Sequence, residues 1–404
     1  MNVNIELFDK EPIENLITCL NFEMDKVVYF GYSDVMTTQA IQNTQRALRV
    51  KCGDVAVEFI EVRRNALDEI INALSITVAQ ENSKGNQCFF DLTGGEDLAL
   101  VAMGIVSKKY GCQMHRFEVS TGKLFLFDVA TDMVSNERKT KACGIEECVK
   151  RREIKLTLDD MISFQGGVIL RDDGQAYHRA LDTEAFFESV SAMWSLGVCD
   201  NKKWNGLANV LKECGEYTDE DFHVCIPQKK LEQIVSRVST IAPYPVFYDY
   251  LKQLEGKKIL INLYTENEHV NFTYQCEAVQ EVLIDAGRLL ELVTYYERKR
   301  SGKYSDCRTG VKIDWDGIIR NDKTDVKNEI DVMLLEGYCP VFISCKNGRV
   351  DQMALYEVDA VAKRFGGKYV KMEMALGQKM QESHWNRAKE MGILTKIPDE
   401  NVLK

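Results

Sequence analysis

The chain is 404 residues long and carries a net charge of −11, enough length for two or three domains with separate cores. Its apolar share of 45% against 28% charged residues is that of a soluble globular protein, and no run approaches the ~18 apolar residues of a membrane span. The opening MNVNIELFDKEP lacks the basic and apolar regions of a secretion signal. Thirteen cysteines, an odd number without a CxxC pair, fit free thiols in a reducing cytoplasm and argue against a disulfide framework or zinc site. From Asn271 onward 21 basic residues balance 21 acidic ones. The excess negative charge therefore lies upstream, and a polyanionic partner is not excluded for the C-terminal end.

Residues 1–148 alternate strand and helix patterns. Val27–Phe30, Val55–Ile60 and Cys88–Leu92 read as strands, with helices to about Arg49, over Ala66–Val78 and over Leu98–Tyr110. Two more strands are expected near 113–119 and 124–129. This rhythm predicts an α/β fold with a mostly parallel, Rossmann-like sheet, although no GxGxxG follows the first strand. Ligands of such sheets bind beyond the carboxyl ends of the strands, where Gly31–Asp34 and Thr93–Asp97 lie. Gly94 and Gly95 would let backbone amides approach an anion. Thr93 and Glu96 also have the spacing of a capping box, which needs no ligand.

From Glu153 to Tyr264 the pattern is mainly helical, with helices starting near Leu156 and spanning Asp182–Leu196 and Lys229–Val238, and a strand or wing at Phe222–Ile226. A winged-helix-like linking region with a coupling or dimerising role is expected. His178, His223 and His269 stand isolated and read as structural. A short strand at Phe272–Tyr274 opens the last part, and one long helix is expected from Ala278 to Tyr296, with Glu291 inside its apolar stretch. Arg298–Lys303 is a basic run suited to phosphates or to a solvated loop. Val311–Trp315 reads as a strand, with Asp314 and Asp316 as reserve acids.

The stretch Asn328–Gly348 predicts a hairpin, Ile330–Leu335 and Val341–Ser344 around a turn-rich Glu336–Pro340. Glu329 and Asp331 share one face of the first strand, and Ser344 and Lys346 one face of the second. Buried charges of this kind need a partner or a metal. Carboxylates beside a lysine suit a hard divalent cation and a phosphodiester. Gln352 and Tyr356, one helical turn apart, follow on an amphipathic helix that Gly366–Gly367 ends, and Lys368–Lys371 reads as a last strand.

The hairpin resembles the active-site motif of PD-(D/E)xK nucleases. Asp331 matches the motif aspartate, and Ser344-Cys345-Lys346 stands at the (D/E)xK position with serine replacing the usual carboxylate. Gln352 and Tyr356 resemble the QxxxY motif of RecB-like members. Together with the Leu92-Thr93-Gly94-Gly95 loop, this order of motifs resembles the CRISPR-associated Rossmann-fold (CARF) nucleases of type III CRISPR systems, the Card-like and Can-like ancillary family. The resemblance implies a CARF sensor over 1–148, a winged-helix-like link over 149–270 and a restriction-endonuclease-like PD-(D/E)xK domain over 271–404. It implies a cytoplasmic homodimer that binds cyclic tetra-adenylate through Ser33, Asp34, Thr93, Gly94, Gly95 and Glu96. Mn2+ or Mg2+ would be held by Asp331, Glu291 and the main chain at Ile343. Lys346, Glu329, Ser344 and Gln352 would complete a site that cleaves DNA or single-stranded RNA. A regulator with a degenerate nuclease domain is the alternative, which Ser344 sustains. With a whole domain between sensor and nuclease, coupling is expected only through rearrangement of the dimer.

Overall fold

The first strand of the molecule is one the periodicity did not reveal. In the computed structural model, which describes residues 1–127, 144–170, 174–197, 201–314, 327–399 and 401–403, β1 (Asn2–Leu7) lies at the middle of a six-stranded sheet. Asn4 and Glu6 interrupt its apolar pattern, yet both are buried, because a central parallel strand has helices over both faces. Around it run α1 (Ile17–Asn21), β2 (Lys26–Gly31), α2 (Thr38–Cys52), β3 (Ala56–Glu61), α3 (Leu67–Ser83), β4 (Gln87–Asp91), α4 (Asp97–Tyr110), β5 (Gln113–Glu118) and β6 (Lys123–Phe127). The strand order is β3-β2-β1-β4-β5-β6, parallel except for β6. Strand positions expected at 128 and 129 fall outside the described residues.

The middle of the chain contains α5 (Ile145–Cys148), α6 (Leu158–Phe164), β7 (Val168–Leu170), α7 (Ala176–Ala180), α8 (Glu184–Gly197) and α9 (Asn201–Glu213). Thr157 and Asp160 close a capping box at the start of α6. Then come β8 (His223–Pro227), α10 (Gln228–Ser236), α11 (Tyr244–Gly256), β9 (Leu260–Glu266) and β10 (His269–Tyr274). The run from α9 to β10, with sheet order β8-β10-β9, is the helix–strand–helix–helix–strand–strand order of a winged helix. The expected boundary at 270/271 falls inside β10, the central strand of this sheet. His223 and His269 serve structure there, bonding Thr273 (3.0 Å) and the Asn267 carbonyl (2.9 Å).

The single helix expected over 278–296 is two helices, α12 (Glu277–Leu283) and α13 (Arg288–Arg300). Asp285 accepts the Gly287 N–H at 3.0 Å, a local turn that competes with helix and restarts it at Arg288. The C-terminal sheet comprises β11 (Asp306–Asp314), β12 (Lys327–Glu336), β13 (Cys339–Lys346), β14 (Lys371–Leu376) after α14 (Gln352–Gly366), and β15 (Ile393–Lys396) after α15 (Glu382–Glu390). Its order is β15-β14-β13-β12-β11-β7, so a strand from the expected linking region completes it. Asp316 lies outside the described residues; Asp314 is buried at the end of β11.

The N- and C-terminal units are in direct contact within the chain. One continuous core runs from Val3, Ile5 and Phe22 to Met333, Phe342 and Phe365. Glu11 and Glu14, in the loop after β1, reach the turn between α14 and β14. Glu11 accepts the Lys368 N–H (2.6 Å) and the Gln165 amide (2.9 Å), and Glu14 accepts the Lys368 ammonium (2.9 Å) and the Tyr369 hydroxyl. At the tip of the β12–β13 hairpin, Tyr338 bonds Asn21 of α1 (2.8 Å). Phe365 is fully buried in this shared core. Phe365→Ala is expected to cost about 3–5 kcal/mol of stability, read by denaturant unfolding, with both units losing structure in one transition.

Candidate functional sites

The hairpin turns at Gly337 and Tyr338, and Gly337 takes φ +62°, the conformation a two-residue turn with glycine first demands. Pairing runs from Glu336–Cys339 to Val332–Ile343 and stops there. Beyond that point the strands open, and the Asp331 carboxylate fills the gap by accepting the Cys345 N–H (2.6 Å) and the Ser344 hydroxyl (3.3 Å). Ser344 thus orients the acid instead of adding a second one. The Asp331 main-chain oxygen accepts the Thr309 hydroxyl (2.8 Å), which fixes the strand from its other edge.

A cavity of about 480 Å³ opens at this gap, lined by Asp285, Arg288, Glu291, Glu329, Asp331, Ile343, Ser344 and Lys346, with Glu357, Val358 and Val361 of α14. Breaking the long helix places Glu291 in the first turn of α13, near the positive end of the helix dipole. Its carboxylate is paired with Arg288 at 2.5 Å. Burial, opposed by Arg288 and reinforced by the nearby Asp331, still pushes Glu291 up to about 8. Burial also raises Asp331, against the Cys345 N–H and Lys346, which favour its ionised form. The Lys346 ammonium makes no ion pair or hydrogen bond with another described side chain, which leaves it available to a ligand in the cavity. Glu329 is exposed on the rim.

Gln352 is not among the residues that line this cavity. Its amide bonds Tyr356 (2.7 Å), and Tyr356 also accepts from Arg387 (2.8 Å), so the pair ties α14 to α15. The basic run after Tyr296 is likewise spent internally: Arg298 pairs with Glu373 (2.6 Å), Lys299 with Asp182 (2.5 Å) and Lys303 with Glu336 (3.0 Å).

Among the described residues no three His, Cys, Asp or Glu side chains form a metal cluster. Glu291 and Asp331 are nevertheless hard oxygen donors, and their raised affinity for protons reports burial first and neighbouring carboxylate charge only after it. A cation that keeps several waters and takes two carboxylates fits such a donor set.

The second candidate site is at the carboxyl ends of the N-terminal sheet. Arg64, which follows β3, bonds Asp34 (3.1 Å) and Glu96 (3.0 Å) and lies 4.6 Å over the Tyr32 ring. It therefore brings together the two loops singled out in the sequence, with Ser33 exposed beside them. Thr93 and Glu96 form no capping box. Thr93 is buried, bonded through N–H and hydroxyl to Asp91 and accepting the Phe117 N–H (2.9 Å), and Glu96 turns outward to Arg64. Gly95 takes φ +113° and donates its N–H to Asp9 (3.2 Å); a side chain at Gly94 would press on Asp9 and Glu14.

Sequence reasoning missed Arg64, Asp9 and Arg288. Arg288 alone carried a signal, its (i, i+3) spacing from Glu291.

These features define a class: a Rossmann-type unit joined through a winged helix to a mixed sheet whose hairpin sets an aspartate and a lysine at one cavity. Solved structures share the overall fold. The Vibrio cholerae protein VC1899 matches with TM-score 0.72 and 15% identity, covering 100% of this chain and 96% of that one. Can2 from Sulfobacillus thermosulfidooxidans, solved with cyclic tetra-adenylate, matches with TM-score 0.63 and 13% identity over 98% of this chain and 93% of that one. The fold of this chain is thus the one shared by VC1899 and Can2. No family model and no curated protein matches the sequence. No helix among the described residues is long and apolar enough to cross a membrane.

The Glu291 shift has a consequence for stability. Between the ordinary carboxylate range and about 8 the folded chain binds a proton here that the unfolded chain does not. Stability is therefore present at low pH and lost as pH rises through about 8. Urea unfolding of the metal-free protein at several pH values is expected to show that decline, and Glu291→Gln is expected to flatten it.

Proposed function

We propose that this chain is a nuclease switched on by a cyclic oligoadenylate, acting with Mn2+ or Mg2+ on DNA or single-stranded RNA as a cytoplasmic homodimer in type III CRISPR defence. The meeting of Glu291, Asp331 and Lys346 in one cavity carries this reading. In it, Asp331, Glu291 and the Ile343 carbonyl hold the metal. When bound, that metal polarises a phosphate oxygen and acidifies its water. Lys346 orients the attacking water and offsets charge developing on the phosphate; the water oxygen bonds phosphorus and gives up its proton to solvent, one P–O ester bond breaks, and the leaving oxygen takes a proton from solvent. Asp331 stays fixed through Cys345 and Ser344.

The activator is cyclic tetra-adenylate, the ligand carried by Can2, set against Ser33, Asp34, Thr93, Gly94, Gly95 and Glu96. A ring of repeated units suits the same loops from two chains related by a two-fold axis. Exposed Ile76 of α3 and Val101 and Ile105 of α4 offer an apolar face for the second copy. Coupling runs within each chain as well. Thr93 is bonded to Asp91, Asp91 to Thr18 (2.5 Å), and Thr18 lies one turn from Asn21, which holds Tyr338 at the hairpin tip.

Ser344 supports a second reading, a ligand-responsive nucleic-acid binder that does not cut. Incubation of the parent protein with plasmid and single-stranded RNA, with Mn2+ and with or without cyclic tetra-adenylate, separates the two. Lys346→Ala is expected to lower cleavage roughly 10²-fold or more while calorimetry shows unchanged ligand binding; near-parental turnover would remove the catalytic role of Lys346. Asn21→Ala with Tyr338→Phe is expected to leave ligand affinity intact and reduce the ligand-induced gain in rate roughly fivefold or more. An undiminished gain would refute the α1 route.

A further inference from the structure

Resting on the nuclease reading, we propose that Arg288 is a phosphate-binding residue of the catalytic cavity, held in reserve by Glu291 until a cation claims that carboxylate. Arg288 lines the cavity with Asp331 and Lys346. Its position is built from several sides. The guanidinium lies 4.7 Å over the Tyr177 ring, pairs with Glu291 at 2.5 Å, and approaches Asp285 at 3.7 Å. Tyr177 is itself fixed, because Glu281 of α12 accepts the N–H groups of Ala176 and Tyr177, each at 2.9 Å. Gly310 of β11 takes φ +60°, and a Cβ there would stand 2.6 Å from the Tyr177 hydroxyl. The side chain is therefore stacked and aimed before any substrate arrives.

The chemistry of the pair gives the switch. Glu291 has one carboxylate to share between Arg288 and a divalent ion. When the ion takes it, the guanidinium loses its nearest counter-charge and keeps only the more distant Asp285 at 3.7 Å. A planar fork stripped of its partner in that setting seeks a phosphate oxygen, which it can meet with two parallel hydrogen bonds. Lysine keeps the charge but not the fork, so Arg288→Lys is the discriminating variant.

The experiment measures two things on the full-length protein. Affinity for a fluorescein-labelled oligonucleotide is read by anisotropy in Ca2+, and cleavage is read at saturating Mn2+ with cyclic tetra-adenylate. Arg288→Lys is expected to weaken oligonucleotide binding in Ca2+ roughly tenfold and to lower kcat. Arg288→Ala is expected to lose roughly 10²-fold in kcat, partly restored by added guanidinium ion. Were Arg288 only a structural mate for Glu291, Mn2+ affinity would change while kcat at saturating Mn2+ and oligonucleotide affinity stayed at parental values. That result overturns the proposal, and Arg288→Lys provides it even where Arg288→Ala fails to fold. A parent protein that cuts nothing removes the nuclease reading, and this inference with it; a parent that cuts, with both variants at parental values, removes this inference alone.

Discussion

Two buried carboxylates fix how the ends of this chain meet. Glu11 and Glu14 project from the loop after β1 into the turn that follows α14, where Gln165, Lys368 and Tyr369 satisfy them. Burial pushes Glu11 up to about 7 and raises Glu14 as well, which measures the cost of placing them there. Removing one partner would leave an uncompensated carboxylate at a cost of several kcal/mol. The position after α14 admits only glycine, since Gly367 takes φ +66° and a Cβ would stand 2.4 Å from Glu11. This junction also adjoins the glycine loop of the N-terminal sheet, because Asp9 holds the Gly95 N–H. A ligand that moves Gly94 or Gly95 must disturb Asp9 or Glu14, and through Glu14 the start of β14.

The cavity at the open end of the hairpin is the complementary case, where buried charge is only partly compensated. Glu291 answers to one arginine and crowds Asp331, and Lys346 has no carboxylate of its own. A structure optimised for stability alone would pair these groups or replace them. Keeping them costs stability and leaves a site that gains by binding a cation and an anion together, which is what a metal and a phosphodiester supply.

How much of this was legible follows from where side chains point. Asp331, Glu291 and Lys346 stood out because charge inside an apolar run is costly wherever it occurs, and that argument survives any fold. Glycines at Gly94–Gly95 and the acids Asp34 and Glu96 were visible for the same local reason. The β1 strand was not, since Asn4 and Glu6 break the apolar pattern of a strand that no local rule places at a sheet centre. The helix break at Asp285–Gly287 was not, since a single Asx turn decides it. The Gln352–Tyr356 bond was legible as helical spacing, but the tie from Tyr356 to Arg387 of α15 was not, because spacing along a helix fixes a face and not which neighbour it meets. Arg64 and Glu14 act only across distances that pattern reading cannot close.

The hairpin joins these observations. Its tip, Tyr338, is seated against Asn21 of α1, with Cys339 beside the Val119 carbonyl at 3.9 Å. Its open end carries Asp331 and Ser344, just past the last paired rung at Val332–Ile343. Strands rise about 3.3 Å per residue, so a rigid two-stranded arm spans the distance between the N-terminal unit and the cavity. It sits at the centre of the C-terminal sheet, paired on both sides by β11 and β14, and cannot flex independently of them. On the proposed reading, a shift at the tip would move the whole arm against α13, which carries Glu291. Asp331 is on the arm and Glu291 is on the helix, so their separation, and with it the affinity for the proposed cation, is what such a motion would change.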